Sequence, residues 1–424
     1  MTSPTVRSVP SRLSLLRDTT FRRFLTGQTL SLLGDQFSLL AIPLVGVLVL
    51  HANAAQMGYL TAAGLAPSLL FSMAAGARID RRGHRRATML AADLGRAALL
   101  GTIPLAYAAG GLTLTQLYVV AFAGGTLDVL FFVSYSTLFV SIVREEQFLQ
   151  GSSLLNGSRS LMTVVGQSAA GLLIAAASAP GALIADAVSF LASAAALASI
   201  HPAEPAIETA THGHLIAGVR FIRHSPVVRA ALGATATVNY FSFIFVAVFI
   251  LYATTDLQIT PAQLGLVLGL GATGGLVGAA STTWIGQRIG IGRTVMLGCL
   301  LFPAPLLLVP LAAGSHTLVL GCLFFAEFGS ALGVLILDIS VGSIFAAVIP
   351  GQLQARVSGA YRTVNYGIRP LGALTGGALG STIGLHATLW IAAIGGLTCV
   401  LWLVHSPIPK MQTLTGKDDQ LRTG

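Results

Sequence analysis

The sequence predicts an all-α polytopic membrane protein, with twelve transmembrane helices in two pseudo-symmetric six-helix bundles. Three observations carry that expectation. First, 54% of the 424 residues are hydrophobic and only 9% charged, with a mean hydropathy of +0.80, far from the soluble globular range. Second, apolar runs of membrane-spanning length recur along the whole chain. Third, the basic residues fall in alternate connections between those runs.

The runs are read in order. Span 1 (25–50) follows Arg22 and Arg23, and span 2 (56–77) runs into the basic stretch GARIDRRGHRRATM, residues 76–89. Span 3 (87–109) leaves that stretch and stops at Gly110, and span 4 (114–142) ends before Arg144. Spans 5 (152–178) and 6 (181–200) are separated by little more than Ala179 and Pro180. Spans 7 to 12 cover 228–252, 260–284, 294–313, 317–346, 357–383 and 385–405. Nearly all exceed the roughly 20 residues a spanning helix needs. They contain Gly and Pro freely, which bilayer helices tolerate.

Charge then sets the orientation. With the N-terminus inside, the cytoplasmic connections collect Arg7, Arg12, Arg17, Arg22 and Arg23, the stretch 76–89, Arg144, Arg220, Arg223, Arg229, Arg288, Arg293, Arg356 and Lys410. The opposite connections, near 51–55, 110–113, 179–180, 253–259, 314–316 and 384, contain no Lys or Arg. A multi-pass protein of the plasma membrane with both termini cytoplasmic is expected. The net charge of +9 therefore needs no acidic partner, and the basic stretch, which alone would suit nucleic acid, is a loop; no nucleic-acid partner is expected. Residues 1–24 are polar and the first run is long, so no cleavable signal is expected. The three cysteines lie inside apolar runs, indicating neither disulfides nor a metal cluster.

The only long polar interval, 201–227, divides the spans six and six. The domains expected are a bundle at 1–200, a cytoplasmic linker with an amphipathic helix at 201–227, a second bundle at 228–405 and a tail at 406–424. The four linker histidines (His201, His212, His214, His224) read as part of a solvated segment rather than a metal site. Features recur about 210 positions apart: GARID at 76–80 with GQRIG at 286–290, Asp128 with Asp338, Gly157 with Gly367, Arg159 with Arg369, and Gly166 with Gly376. AQMG at 55–58 answers AQLG at 262–265.

Two six-helix repeats with a site between them is the layout of many secondary transporters, and over roughly residues 15–405 the chain resembles the major facilitator superfamily. The basic stretch resembles that family's signature between helices 2 and 3, here Gly76, Asp80, Arg81, Gly83, Arg85 and Arg86. DAVSFLASA (186–194) and RVSGAYRTVNYGIRPLGALTGG (356–377) resemble the branch of macrolide-efflux and enterobactin exporters. The resemblance implies export of a hydrophobic or cationic small molecule in exchange for protons, by a monomer without cofactor or metal. It also implies a latch in which Asp80 meets the start of span 11 near Arg356–Ser358, where the helix dipole favours an anion. Gly290 at the repeat position makes that latch one-sided. Two departures stand out: span 4 lacks the arginine of the family's proton-relay motif, and Gln167 replaces the proline of its exporter motif among Gly157, Gly166 and Gly171.

Charged residues inside spans are costly, roughly 3 kcal/mol for a mid-bilayer aspartate, and so face a cavity or a partner. Asp35 shares a helix face with Gln28, Ser31 and Ser38, and Asp128 is central in span 4 with Tyr135 on nearly the same side. Glu327 and Asp338 share one face of span 10. Asn156, Arg159, Thr163 and Gln167 line span 5, and Arg362, Asn365, Tyr366 and Arg369 line span 11. Asp128 and Asp338 are candidate proton or substrate sites, or else buried partners of Arg159 and Arg369. Asp35 has no evident cation in its half at that depth, which makes it a candidate proton or cation site, as is Glu327. Asp186 reads as structural or capping, and Asp93–Arg96 as a local pair near the cytoplasmic surface. Tyr135 and Tyr240 are assigned to a cavity. A facilitator or importer of a nutrient or siderophore is the alternative on the same fold. An embedded enzyme is disfavoured, since HExxH, GxSxG and a His–carboxylate pair within a span are all missing.

Overall fold

The computed structural model describes residues 14–82, 84–201 and 215–412, and among these the regular elements are all helical. The long helices are α1 (Thr19–Val49), α2 (Ala54–Arg82), α3 (Arg85–Ala108), α4 (Leu114–Ile142), α5 (Phe148–Ala177) and α6 (Ala179–Ala198). A short linker helix, Leu215–His224, precedes α7 (Pro226–Thr255), α8 (Pro261–Ile289), α9 (Ile291–Leu311), α10 (His316–Val348), α11 (Gly351–Thr382) and α12 (Leu385–Val404). Ten are long and apolar enough to cross a membrane. The other two are α2 and α11, of 29 and 32 residues, which pack against each other.

Helix ends follow local chemistry. Asp18, Thr113, Ser178, Ser225, Thr260 and Ser315 cap α1, α4, α6, α7, α8 and α10 through their side chains, each accepting from a backbone N–H of the first turn. Proline follows the cap at Pro226 and Pro261, where its missing N–H costs nothing. Single residues with positive φ join α5 to α6 (Ser178, +77°) and α11 to α12 (Gly384, +87°), so the same tight link recurs in both halves. Only glycine takes that conformation without strain; Ser178 compensates by capping the Gly181 N–H. The second half also has interruptions, at Ala272 in α8 and at Phe302–Leu307 in α9, around Pro303 and Pro305.

Packing repeats with the sequence. In the first half α1 lies on α5 and α6, α2 on α4, and α3 on α4 and α6. In the second α7 lies on α11 and α12, α8 on α10, and α9 on α10. Between the halves α2 packs on α11 and α5 on α8. Lipid offers no hydrophobic drive for such contacts, so close backbone approach must supply the attraction. A Cβ on Gly58 would come within 2.7 Å of Gly377 Cα, and one on Gly171 within 2.6 Å of Gly265 Cα. Both glycine pairs lie toward the end of the bundle whose connections lack Lys and Arg. Replacing Gly377 with Val should wedge α2 from α11, lengthening the distance between spin labels at Asn53 and Ile383 by ~3 Å, about the depth of the added side chain. An unchanged distance distribution would show that the glycine contact does not set the separation.

Candidate functional site

The interior of the first half is organised by one cation. Arg96 sits halfway along α3, about 16 Å from its first residue at 1.5 Å per residue. Nη1 donates to Asp35 Oδ1 on α1 at 3.1 Å and to Asp128 Oδ1 on α4 at 2.5 Å, and Nη2 donates to Asp93 Oδ1 at 3.0 Å. Phe131 and Phe190 flank the guanidinium, with ring centroids 4.7 and 4.5 Å from Cζ. A planar fork between two rings is arginine chemistry; a lysine would lose both the shared bonds and the stacking. Asp93 Oδ2 accepts from Ser193 Oγ at 2.6 Å, which brings α6 into the same network.

This cluster has a closed back and an open front. The Arg96 and Asp93 side chains are 5% and 0% exposed, whereas Asp35 and Asp128 are 38% and 57% exposed although both lie mid-helix. Two carboxylates thus line a gap between α1 and α4 while a buried cation holds them from behind. Asp186 on α6 is fully buried next to them and accepts from Ser38 Oγ of α1. Its carboxylate rests on Gly34, where a Cβ would come within 2.5 Å of Oδ1.

Four sequence expectations are corrected here. Asp35 does have a cation, Arg96, which reaches it from another helix. Asp128 pairs with Arg96 and not with Arg159, whose guanidinium is exposed and unbonded among the described residues. Asp93 and Arg96 are not near the surface, because α3 begins at Arg85 and puts them in its central turns. Of the two roles expected of Asp186, structural or capping, only capping is ruled out, since Ser178 caps α6. Gln28 and Ser31 are buried on α1, and Gln28 Oε1 lacks a hydrogen-bond partner among the described residues. Tyr135 stacks on Phe24 at 5.7 Å, and Asn156 is exposed. Gln167 is half-buried, and its backbone carbonyl lies where Gly265 of α8 meets α5.

The second half is built differently. Arg369 donates through Nε to Asn239 Oδ1 at 3.0 Å, and Asn239 Nδ2 donates to Asn365 Oδ1 at 3.2 Å. The Arg369 guanidinium stacks on Tyr366 (4.5 Å) and lies 5.2 Å from the Phe243 ring. It makes no ion pair with Asp338 among the described residues, because the Asn239 amide takes its Nε and Asp338 stays exposed. Tyr240 donates to Thr375 Oγ1 at 2.9 Å and so ties α7 to α11. Glu327 is half-buried, without hydrogen bond or ion pair among the described residues, its stem against Gly271 at the interruption of α8. Of the expected latch, Gly83 and the side chains of Gly76, Asp80 and Arg81 lie outside the described residues. Arg86 donates to the carbonyls of Leu197 and Ala198 at 3.0 and 2.6 Å, capping α6 of its own half, where Arg23 also binds the Ser199 carbonyl. Arg85 is buried at the first turn of α3.

Known proteins agree with this architecture. A family model described as Major Facilitator Superfamily matches residues 24–373 and again 232–423. The chain belongs to that superfamily. It is 27% identical over 386 residues to the multidrug efflux pump Tap of Mycobacterium tuberculosis, covering 85% of this chain and 87% of the relative. The multidrug efflux pump Tap of Mycolicibacterium fortuitum is 25% identical over 405 residues, covering 90% and 93%. Among solved structures, the nucleoside transporter NupG superposes with a TM-score of 0.72 at 11% identity, covering 91% and 97%. A bacterial homologue of the iron transporter ferroportin in an inward-facing state gives 0.71 at 17%, covering 92% and 98%. At those identities the likeness is one of fold. The protein is a multi-pass membrane transporter of small molecules and not an enzyme.

Burial predicts the energetic ranking of the cluster. Asp93→Asn breaks a fully buried ion pair and should destabilise the solubilised protein by about 3 kcal/mol. Asp35→Asn, partly exposed, should cost about 0–1 kcal/mol. Thermal unfolding followed by intrinsic fluorescence reads both, and the reverse order would contradict the assignment of back and front.

Proposed function

We propose that the protein is a secondary active exporter of a hydrophobic or cationic small molecule, driven by proton antiport through alternating access of its two halves. The observation that carries this reading is the partly exposed pair Asp35 and Asp128, which share one nitrogen of a buried arginine at the middle of the bundle. Three carboxylates on a single guanidinium leave the cluster formally two charges negative, and an arriving cation or proton reduces that excess. Mid-span carboxylates around a cavity are the usual apparatus of such exchange. The printed names of the Tap relatives, multidrug efflux pumps, favour export of lipophilic compounds.

In this mechanism Arg96 is an internal competitor. A cationic substrate entering the gap takes over the Asp35 and Asp128 oxygens that Nη1 holds, and Arg96 keeps Asp93. Protonation from the other side reverses the exchange and expels the substrate. The Lys/Arg-bearing end, with both termini, faces the cytoplasm of a bacterial plasma membrane, so the glycine-packed end without Lys or Arg faces out. The two halves are taken as the moving bodies, joined by the linker helix, whose Gly218 lies against the Arg356 backbone at the start of α11.

Purified protein in liposomes tests the reading with ethidium as probe. An acidic lumen should drive ethidium accumulation that a protonophore abolishes, and Asp35→Asn or Asp128→Asn should lower the initial rate at least ~10-fold, equivalent to about 1.4 kcal/mol. Equilibration of ethidium at the same rate with and without the pH step would refute antiport and leave a facilitator.

A further inference from the structure

Three of the four carboxylates around Arg96 bond to it directly; the fourth does not. Asp186 is fully buried on α6, one oxygen accepting from Ser38 Oγ and the other, Oδ1, without any hydrogen-bond partner among the described residues. Arg96 offers the complement, a buried Nε that is likewise unbonded. The two groups belong to one neighbourhood. Asp186 lies on Gly34, the residue before Asp35, and Phe190, one helical turn from Asp186, stacks on the Arg96 guanidinium. A bare carboxylate oxygen in an apolar interior is costly when charged, and so is a bare guanidinium donor; a proton on the first removes its charge, and contact between the two satisfies both.

We propose that Asp186 is the proton-binding site of this transporter, separate from the substrate-facing pair Asp35 and Asp128. The inference rests on the antiport reading above and assigns its two ligands to different carboxylates. With the proton on Asp186, Arg96 stays on Asp35, Asp93 and Asp128, as observed, and the open pair is occupied. When the proton passes to water, Asp186 becomes a fourth anion beside Asp35, and Arg96 turns its free Nε edge toward it. Nη1 then leaves Asp35 and Asp128, which are free to accept a cationic substrate. Proton loss and substrate capture become one event, and protonation on the far side returns Arg96 and expels the cargo.

The surroundings leave few other participants. Of the helices packed on α6, α1 contributes Asp35 at this depth, with Arg22 and Arg23 at its basic end, and α3 contributes Asp93 and Arg96, with Arg85 and Arg86 in its first turn. On α5 the only charged residue is Arg159, which is exposed, and Asp128 of α4 connects through Arg96.

The test counts protons. Tetraphenylphosphonium is added to purified protein in weakly buffered detergent, and release is read with a pH indicator alongside the binding isotherm. The wild type should release about one proton per bound cation. Asp186→Asn, which keeps an acceptor for Ser38, should stay folded, release none, and bind at least 10-fold more weakly with an affinity independent of pH. Ser38→Ala gives a second handle if that variant is unstable: losing the donor to the Asp186 anion should move the pH midpoint of cation binding to higher pH. Release of a full proton by Asp186→Asn, or an unmoved midpoint in Ser38→Ala, overturns the assignment while leaving antiport standing. A wild type that binds the cation without releasing a proton and shows no pH-driven transport overturns the antiport reading itself.

Discussion

A guanidinium at the centre of an apolar helix cannot be left alone, and the first half of this protein is arranged around that constraint. Arg96 needs acceptors that lipid and leucine do not offer, so α1, α3 and α4 each bring a carboxylate to it and α6 brings a hydroxyl to one of those carboxylates. The guanidinium also lies over the rings of Phe131 and Phe190. Removing one acceptor leaves the others, but removing the cation leaves three anions in the bundle. Such clusters are poor devices for stability, since well-packed apolar residues would hold the helices as well. On the reading proposed above, what the cluster supplies is a set of exchangeable charges, two of them partly exposed while the rest are fixed from behind.

The two halves share their helix pairing but not their chemistry. Span 1 repeats at an offset of 207, as the caps Asp18 and Ser225 and the AQMG and AQLG stretches show, which sets Ser242 where Asp35 stands; neither that offset nor the 210 of Asp128 and Asp338 sets a cation where Arg96 stands (Pro303 or Leu306). The second half thus kept one acid of the set and lost its cation, and Arg369 instead enters a neutral amide network with Asn239 and Asn365. On the antiport reading proposed above, this asymmetry gives charge exchange to the first half. In the second half Tyr366 and Phe243 lie against Arg369, and Glu327, at the interruption of α8, has no hydrogen bond or ion pair among the described residues.

Much of the fold was legible because hydrophobic length and loop charge are one-dimensional signals. Span 4, read as 114–142, is the helix Leu114–Ile142. The interruptions of α8 and α9 were missed, since a Gly- and Pro-rich apolar run looks alike whether or not the helix continues through it. At the site, Asp35 and Asp128 stood out by their depth, but the cation that joins them did not. Asp93 and Arg96, three residues apart, looked like a local pair, and pairing across three helices leaves no mark in sequence spacing. The signal that was available was position, for an arginine midway along span 87–109 lies too deep to reach the surface. Arg159 and Arg369 were alternative partners for Asp128 and Asp338, but Asp128 pairs with Arg96 and Arg369 bonds to Asn239.

The most direct test of this account is the stability of an uncharged cluster. Thermal unfolding of purified Arg96→Met should show a loss of at least about 3 kcal/mol, as expected when a buried anion set loses its cation. Combining Arg96→Met with Asp35→Asn, Asp93→Asn and Asp128→Asn should restore most of the wild-type midpoint. An Arg96→Met protein as stable as the wild type, or a quadruple variant no better than the single, would contradict the claim that this one guanidinium holds the cluster together.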